Sequence, residues 1–307
     1  MINLGYACIT MSLSNRKKSE RITTNRSMIR RTFDQKGTDY ASELALQNCK
    51  DLYTILQWNE ENNIKFFRLS SEFFPWASEY DIESLKDYEK ILYWCKKSGD
   101  YAKEKGHRLT SHPGPFNKLT SPKERVIQNT IKDLEIHAQF FDMLGLPRSP
   151  YAKLNIHVGA HYNDKRMALE NFCRNFERLS EGVRSRLTVE NDDKASLYST
   201  QELYDEVYKR IGIPIVHDIH HHKFCTGGLD DEEAMHLAAT TWGDVKPVIH
   251  YSQSRSIEYN DTKIKDFAHS DSYWEPVDTY GLDLDVMLES KKKELSLFKM
   301  RELLNQK

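Results

Sequence analysis

Eight short apolar runs recur along this chain of 307 residues, and longer stretches with helical character separate them. Strands that alternate with helices in this way are typical of parallel βαβ units. Eight is the strand number of a (β/α)8 TIM barrel, which commonly contains about 250 residues in a single domain. We therefore predict one TIM-barrel domain over residues 1–307, with parallel strands at residues 2–7, 65–70, 107–111, 153–158, 186–190, 213–218, 247–252 and 283–289.

The segments between these strands carry apolar residues on one helix face. Ala45, Cys49, Leu52 and Leu56 follow i, i+4, i+7 and i+11 spacing, and residues 131–141 contain a second such stripe. Stripes of this kind pack against a barrel and need no functional explanation. The polar stretch at residues 254–266 is interpreted as an active-site loop rather than a boundary between domains.

Composition restricts the class of protein. Charged residues make up 29% and hydrophobic residues 39% of the chain, and the net charge of -2 argues against a protein that coats nucleic acid over its whole surface. The five cysteines form no Cys-x-x-Cys pair, and neither a secretion signal nor an apolar run of about 18 residues is present. We expect a soluble, intracellular, monomeric protein with reduced thiols.

Two segments are locally basic. Seven basic residues and one acidic residue, Glu20, lie between positions 16 and 31. Lys291, Lys292 and Lys293 fall in the first turns of a helix predicted at residues 290–304, where the helix dipole disfavours positive charge. Both segments could contact phosphates, and a solvated surface is the alternative for each.

Residues able to bind metal lie at or just beyond the ends of the apolar runs, where a parallel barrel has its active site. A single histidine at a strand end is more often a hydrogen-bonded core residue than a metal ligand. Two histidines on neighbouring strands, followed by a carboxylate on the next strand, make metal binding the better interpretation. Of the three consecutive histidines at 220–222, not all can face one metal. The candidate ligands are His112, His157, Glu190, Asp218, His221, His250, His269 and Glu289.

Eight ligands exceed the three or four that one catalytic ion takes from a protein, so we expect two or three divalent ions. Imidazole and carboxylate without thiolate suit Mn²⁺ or Zn²⁺; we favour Mn²⁺, with Mg²⁺ and Zn²⁺ as alternatives. Clustered divalent ions lower the pKa of a bridging water, orient it for in-line attack and offset charge on the leaving oxygen of a phosphodiester. Neither a Ser-His-Asp arrangement nor a glycine-rich phosphate loop competes with this interpretation.

With these motifs in order along nearly the whole chain, the sequence resembles the UV-damage endonuclease family, which is related in fold to endonuclease IV and more distantly to xylose isomerase. The matching segments are residues 4–8, 24–26, 67–71, Ser111-His112-Pro113-Gly114, 157–159, Val189-Glu190-Asn191-Asp192, Asp218-Ile219-His220-His221, 249–252, 268–271 and 287–291.

The resemblance implies metal-dependent cleavage of damaged double-stranded DNA immediately 5′ to a UV photoproduct, either a pyrimidine dimer or a 6-4 photoproduct. Cleavage would leave a 3′-hydroxyl and a 5′-phosphate. By the same likeness Glu190 bridges two ions, with His112 and His157 on one and Asp218, His250 and Glu289 on the other. His221 and His269 would hold a third ion, and Glu190, Glu289 and His221 would be catalytic.

The resemblance also predicts DNA contacts. Tyr6 and Arg26 match family positions near DNA, and Pro115 and Phe116 match a polar and an aromatic residue, usually glutamine and tyrosine, that enter the duplex beside the lesion. Pro115 cannot donate a side-chain hydrogen bond, whereas Phe116 keeps a stacking face. A rigid loop without a wedge role is the alternative.

A second departure from the family lies two residues before the seventh-strand histidine. The family can carry a modified lysine there, and Val248 occupies the position in this chain. Lys246 is two residues deeper on the same strand face, and we expect that it does not substitute.

Three other functions remain open from the sequence. An abasic-site endonuclease of the endonuclease IV type would share the metals. A sugar isomerase on the same barrel needs fewer ligands and a closed pocket, and a lesion-binding protein without activity would not need eight ligands.

Overall fold

The computed structural model describes residues 2–305 and contains a closed barrel of eight parallel strands in sequence order. β8 closes the barrel on β1, with Asn3 opposite Asp285 and Tyr6 opposite Leu288. The predicted TIM barrel is confirmed, and each strand end lies within two residues of its prediction. The strands are β1 (Asn3–Ala7), β2 (Phe66–Leu69), β3 (Arg108–Ser111), β4 (Leu154–His157), β5 (Leu187–Glu190), β6 (Ile215–Asp218), β7 (Val248–Tyr251) and β8 (Asp285–Leu288).

Helices of uneven length surround the barrel. They are α1 (Met11–Ser14), α2 (Arg30–Glu61), α3 (Tyr88–Lys105), α4 (Glu124–Met143), α5 (Lys165–Phe176), α6 (Glu181–Arg184), α7 (Thr200–Leu203), α8 (Lys209–Ile211), α9 (Ile219–His222), α10 (Asp231–Ala239), α11 (Arg255–Tyr259) and α12 (Lys293–Leu303). A π-helical turn (Tyr204–Tyr208) joins α7 to α8, and single 3-10 turns lie at Ala77–Glu79, Ile82–Ser84, Pro150–Ala152 and Thr240–Trp242.

Two details of the helices differ from a simple prediction. The final helix begins at Lys293 and not at residue 290, so Lys291 and Lys292 lie in the loop before it. α2 is interrupted at Gly37, which has a φ of 61°. Glycine adopts a positive φ without steric strain because it has no Cβ atom. Beyond that point the predicted stripe of α2, from Ala45 to Leu56, is fully buried against the barrel.

An apolar layer lies inside the barrel. Val248 and Met287 belong to this small cluster with Phe66 and Trp242. Because side chains alternate along a strand, Val248 shares the interior face with His250, two residues nearer the carboxyl end. The predicted ligands therefore lie on the mouth side of the apolar layer, and a buried ion pair of Arg108 with Asp285 lies on its other side.

Lys246 is engaged at the opposite end of the barrel. Its ammonium lies 2.9 Å from a carboxylate oxygen of Asp283 and 3.3 Å from one of Asp285. Val248 is buried in the apolar cluster. Neither residue brings an amine to the mouth, in agreement with the expectation from the sequence. Among residues 2–305, no helix combines the length and apolar character that a bilayer crossing needs.

Candidate metal centre

The strand ends bring the predicted ligands to one face of the barrel. His157 ends β4 directly opposite Glu190 at the end of β5, and Asp218 ends β6 opposite His250 of β7. The other four ligands follow a strand or lie in a loop at the same end. His112 follows β3, Glu289 follows β8, His221 lies in α9, and His269 is held by a bridge to Ser254.

Seven of the eight predicted ligands form three overlapping groups, in each of which the candidate ligand atoms lie within 4.8 Å of one another. The groups are His112, His157 and Glu190; Glu190, Asp218 and His221; and Asp218, His250 and Glu289. Glu190 and Asp218 are each shared by two groups. The overlap places carboxylates between neighbouring sites, as a cluster of ions requires.

His269 lies at the edge of this cluster. Its Nδ1 is 3.9 Å from a carboxylate oxygen of Glu289, and its ring centre is 5.8 Å from that of His221. The resemblance pairs His221 with His269, whereas the structure groups His221 with Glu190 and Asp218. The pairing around a third ion therefore stays a prediction.

Glu190 is the most highly connected residue of the centre. One of its oxygens lies 3.1 Å from both His112 Nε2 and His250 Nδ1, and the other lies 3.4 Å from His221 Nδ1 and 3.8 Å from His157 Nε2. Burial raises the pKa of this carboxyl group, but the charges of His250 and His157 and the hydrogen bond from His112 hold it well below its usual value. Glu190 is therefore ionised, as a carboxylate that binds a cation must be.

Two buried ligand atoms have no hydrogen-bond partner among residues 2–305. They are Asp218 Oδ2 and His269 Nδ1. Unsatisfied buried polar atoms are rare in folded proteins. Two in one cluster, next to ionised carboxylates, fit divalent ions bound by nitrogen and oxygen.

The histidines of the cluster differ in their proton affinity. Burial lowers the pKa of His112 to about 4, so its ring is neutral near pH 7. Burial also lowers that of His157, but the nearby carboxylates of Glu190 and Asp192 outweigh this effect and raise it to about 10. An ion that binds through His157 must therefore displace a proton.

Of the three consecutive histidines, only His221 belongs to a ligand group. His222 lies with its Nε2 3.2 Å from the carbonyl oxygen of Leu229, and His220 is fully buried with its ring centre 5.7 Å from that of His269. The prediction that not all three face one metal agrees with this arrangement.

Sequence reasoning missed several residues that hold the ligands in place. Arg68 forms an ion pair with Glu289, and Asn155 donates to Glu190 while accepting from Thr188 Oγ1 at 2.8 Å. Lys153 is fully buried, with its Nζ 3.2 Å from His250 Nε2. Side chains alternate between the two faces of a strand. Arg68, Lys153 and Asn155 face the same side of the barrel wall as the ligands, and this alternation is the sequence feature that could have identified them.

The predicted wedge lies at an exposed loop tip beyond β3. The Phe116 side chain is 88% exposed, and Pro115 beside it is also exposed. Asn117 fixes the base of the loop by donating to the Gly114 carbonyl at 3.0 Å and to Asp133 at 2.7 Å. An exposed aromatic side chain thus projects from a fixed loop base that begins directly after His112.

The structure does not present Tyr6 to DNA. Tyr6 is fully buried, and its hydroxyl lies 2.7 Å from both Thr10 Oγ1 and Asn59 Oδ1. The prediction of a direct DNA contact from Tyr6 is therefore wrong, because its side chain points outward from β1 into the layer beneath α2.

Arg26 is largely committed to its own loop. Its guanidinium donates to Asp51 and to the carbonyl oxygens of Thr23 and Arg21. The side chain is 23% exposed, so a DNA contact from Arg26 stays a prediction.

Comparison with known proteins is consistent with this centre. The model of the family described as UV-endonuclease UvdE matches residues 2–307. A protein of Acanthamoeba polyphaga mimivirus, whose name includes UV-damage endonuclease, is 32% identical over 311 residues, spanning 98% of this chain and 90% of the relative. A Neurospora crassa UV-damage endonuclease is 35% identical over 280 residues, spanning 87% of this chain but 42% of the relative.

Solved structures agree with the sequence comparisons. The crystal structure of SacUVDE superimposes with a TM-score of 0.85 at 29% identity, over 99% of this chain and 98% of that chain. A D-tagatose 3-epimerase-like protein, at 15% identity and a TM-score of 0.56, shares the fold alone. The resemblance predicted from the ten motifs is confirmed, and the chain belongs to the UV-endonuclease UvdE family.

Proposed function

We propose that this protein is a divalent-metal-dependent endonuclease that hydrolyses the DNA backbone beside UV photoproducts. The observation that carries the proposal is the set of three overlapping carboxylate-imidazole groups at the barrel mouth. Membership of a family whose relatives are named UV-damage endonucleases supplies the substrate class. A protein with this substrate would act inside a cell.

The finer parts of the proposal follow the family resemblance. Cleavage occurs immediately 5′ to a pyrimidine dimer or a 6-4 photoproduct and leaves a 3′-hydroxyl and a 5′-phosphate. The protein would bind two or three ions, and Mn²⁺ is favoured over Mg²⁺ and Zn²⁺. This number matches three ligand groups, of which the first two share Glu190 and the last two share Asp218. Nitrogen and oxygen ligands without sulfur are compatible with each of these ions, although imidazole favours Mn²⁺ and Zn²⁺ over Mg²⁺.

Bound divalent ions would activate water and offset charge on the departing oxygen. Glu190 stays ionised and connects neighbouring ligand groups. Glu289 lies 3.1 Å from His250 and is paired with Arg68, which fixes its orientation. His221 places Nδ1 3.0 Å from the carbonyl oxygen of Asn191, so this carbonyl can accept its proton and leave Nε2 as the ligand atom.

Phe116 is proposed to contact the damaged site. An exposed aromatic ring on a fixed loop can enter a duplex where base stacking is already weakened and replace the lost stacking. Bending intact DNA costs several kcal/mol, roughly 1–6 for a short site, so a deformable lesion lowers the energy of the bound state. Pro115 beside it would contribute shape rather than a hydrogen bond.

A nicking assay tests the proposal. Duplex oligonucleotides with one thymine dimer, one abasic site or no lesion would be incubated with Mn²⁺, with and without chelator, and the product ends identified. We expect chelator-sensitive cleavage 5′ to the dimer. Cleavage confined to the abasic duplex would favour the abasic-site endonuclease, and no cleavage of any duplex would contradict the proposal.

Variants would assign the activity to this centre. Glu190→Gln removes the shared charge and should lower the cleavage rate by at least about a hundredfold. Glu104→Gln changes an exposed carboxylate far from the mouth and is the matched control. Equal rates for the two variants would separate the activity from the proposed metal centre.

A further inference from the structure

A basic groove lies beside the metal centre, between the loop after β1 and the loop after β8. It has a volume of about 390 Å³. The β1 loop lines it with polar side chains, two apolar ones and Arg21, and the β8 loop lines it with two lysines. The lining residues are Ile9, Met11, Ser14, Asn15, Arg21, Thr23, Asn25, Lys291 and Lys293.

The three cations of this groove have no carboxylate partner within ion-pair distance in the described part of the chain. Arg21, Lys291 and Lys293 differ in this respect from Arg26, which is paired with Asp51, and from Arg68, which is paired with Glu289. Three unpaired positive charges around one concave surface create a field that favours an anion.

The carboxylates around the groove have other partners. Glu289, which acts on the charge of Lys293, is paired with Arg68. Glu294 is fully buried and accepts from the backbone N–H groups of Met11 at 2.8 Å and Ser12 at 2.6 Å. Asp51 accepts from Thr23 N at 2.8 Å as well as from Arg26. Glu294 thus joins the two walls of the groove without neutralising its lysines.

The backbone fixes the lysines in place. Lys293 has a φ of 52°, a left-handed conformation that is unfavourable for a lysine. The N–H groups of Lys291 and Lys292 donate to the carbonyl oxygens of Ser270 and Asp271 at 2.9 and 3.0 Å. The loop therefore presents Lys291 and Lys293 to the groove at a defined position, two and four residues beyond Glu289.

We propose that this groove binds a backbone phosphate of the DNA substrate, next to the phosphodiester that is cleaved. The inference rests on the proposed function and specifies its substrate contact. Lysine and arginine side chains, supported by hydroxyl and amide groups, are the usual donors to DNA phosphates. The contact orients the strand over the metal centre and carries no sequence information.

Salt dependence of DNA binding tests this site. The full-length protein with Mn²⁺ would be titrated with a fluorescent undamaged duplex at several KCl concentrations, for the wild type, Lys291→Gln, Arg21→Gln and the double variant. The matched control is Lys292→Gln, because Lys292 is exposed, carries the same charge and does not line the groove. Lys293 is left unchanged because of its strained backbone.

Each lost phosphate contact should reduce the slope of log K against log salt by about one. Because one phosphate is held, we expect this full reduction for the double variant, a part of it for each single variant, and no change for Lys292→Gln. An equal reduction for Lys292→Gln, or unchanged slopes for the groove variants, would overturn the proposal.

A second measurement distinguishes DNA from free phosphate. Inorganic phosphate titrated by calorimetry should bind the wild type more tightly than the double variant and should compete with the duplex. Phosphate binding that does not compete with DNA would identify an anion site unrelated to the substrate and would refute the proposal. Because undamaged DNA is used, the groove can pass this test even if lesion cleavage is not found.

Discussion

Glu190 illustrates how single residues determine this site. Its carboxylate is buried, and an isolated buried charge would be strongly unfavourable. Imidazoles from two strands, one loop and one helix, together with the amide of Asn155, surround it and keep it ionised. The same contacts fix its two oxygens, so the ligand geometry exists in the folded chain.

The amide of Asn155 should matter for metal binding although it is not a ligand. Asn155→Ala removes the donor that orients Glu190, and we expect Mn²⁺ affinity to fall by about ten- to a hundredfold. Calorimetric titration measures this loss. Asn171→Ala, which removes another buried amide that contacts none of the predicted ligands, is the control; equal loss in both variants would argue against a specific role.

Metal binding should release protons. His157 has a pKa raised to about 10 and is protonated near pH 7 without an ion. Since an ion must displace this proton, the apparent Mn²⁺ affinity should increase as the pH rises toward about 10. Titration in buffers of different ionisation enthalpy measures the released proton. Affinity independent of pH between 6 and 9 would contradict this expectation.

The same group affects stability after chelation. The pKa of His157 in the folded state lies above its unfolded value of about 6.5. The stabilising contribution of His157 to the free energy of unfolding is therefore complete below about pH 6.5. It is lost as the pH rises toward about 10.

At the scale of elements, the position of α3 depends on one close approach. Gly99 lies within this helix, and a Cβ atom placed on it would come within 1.6 Å of the carbonyl oxygen of Leu144 at the end of α4. No side-chain rotation can relieve a contact with backbone. The absence of a side chain at this position lets the two neighbouring helices pack.

Gly99→Ala should destabilise the protein by about 2 kcal/mol or more, despite the better helix propensity of alanine. Gly182→Ala in α6 is the control, because a Cβ there would meet only ordinary contacts of 3.5 Å or more. Thermal unfolding of both variants measures the difference. Similar melting temperatures would show that α3 can move away from Leu144 without loss.

At the scale of the whole molecule, closure of the barrel leaves none of the eight strands within residues 2–305 with an unpaired edge. Every strand from β1 to β8 pairs with two neighbours. Such a barrel has no boundary at which it could separate into two units. We therefore propose a single cooperative domain and a monomer.

Light scattering coupled to size exclusion should give a mass near the 36.0 kDa of one chain, and calorimetry should show a single unfolding transition. Adding Mn²⁺ at about a hundred times its dissociation constant should stabilise the fold by about 2.7 kcal/mol, and chelator should reverse this. A dimer mass or two separate transitions would contradict the proposal.

Much of the fold and centre was predictable because both follow local patterns. Alternation of apolar runs with helical stripes indicated eight strands, and a polar residue at a strand end must face the barrel mouth. Tyr6 was assigned wrongly because a motif match does not indicate which face of a strand a side chain occupies. The grouping of His221 was also uncertain, since it depends on how α9 turns back over β6.

The sequence by itself determined the barrel, the ligand types and their presence at one end, because these depend on residue order and strand periodicity. Only the tertiary structure decided that Glu190 and Asp218 are shared between ligand groups. It also decided that Arg68, Asn155 and Lys153 contact the ligands. The meeting of Arg21 with Lys291 and Lys293 in one groove is likewise tertiary. These contacts join residues distant in the chain. Barrel closure and strand register set their distances, and no local pattern records them.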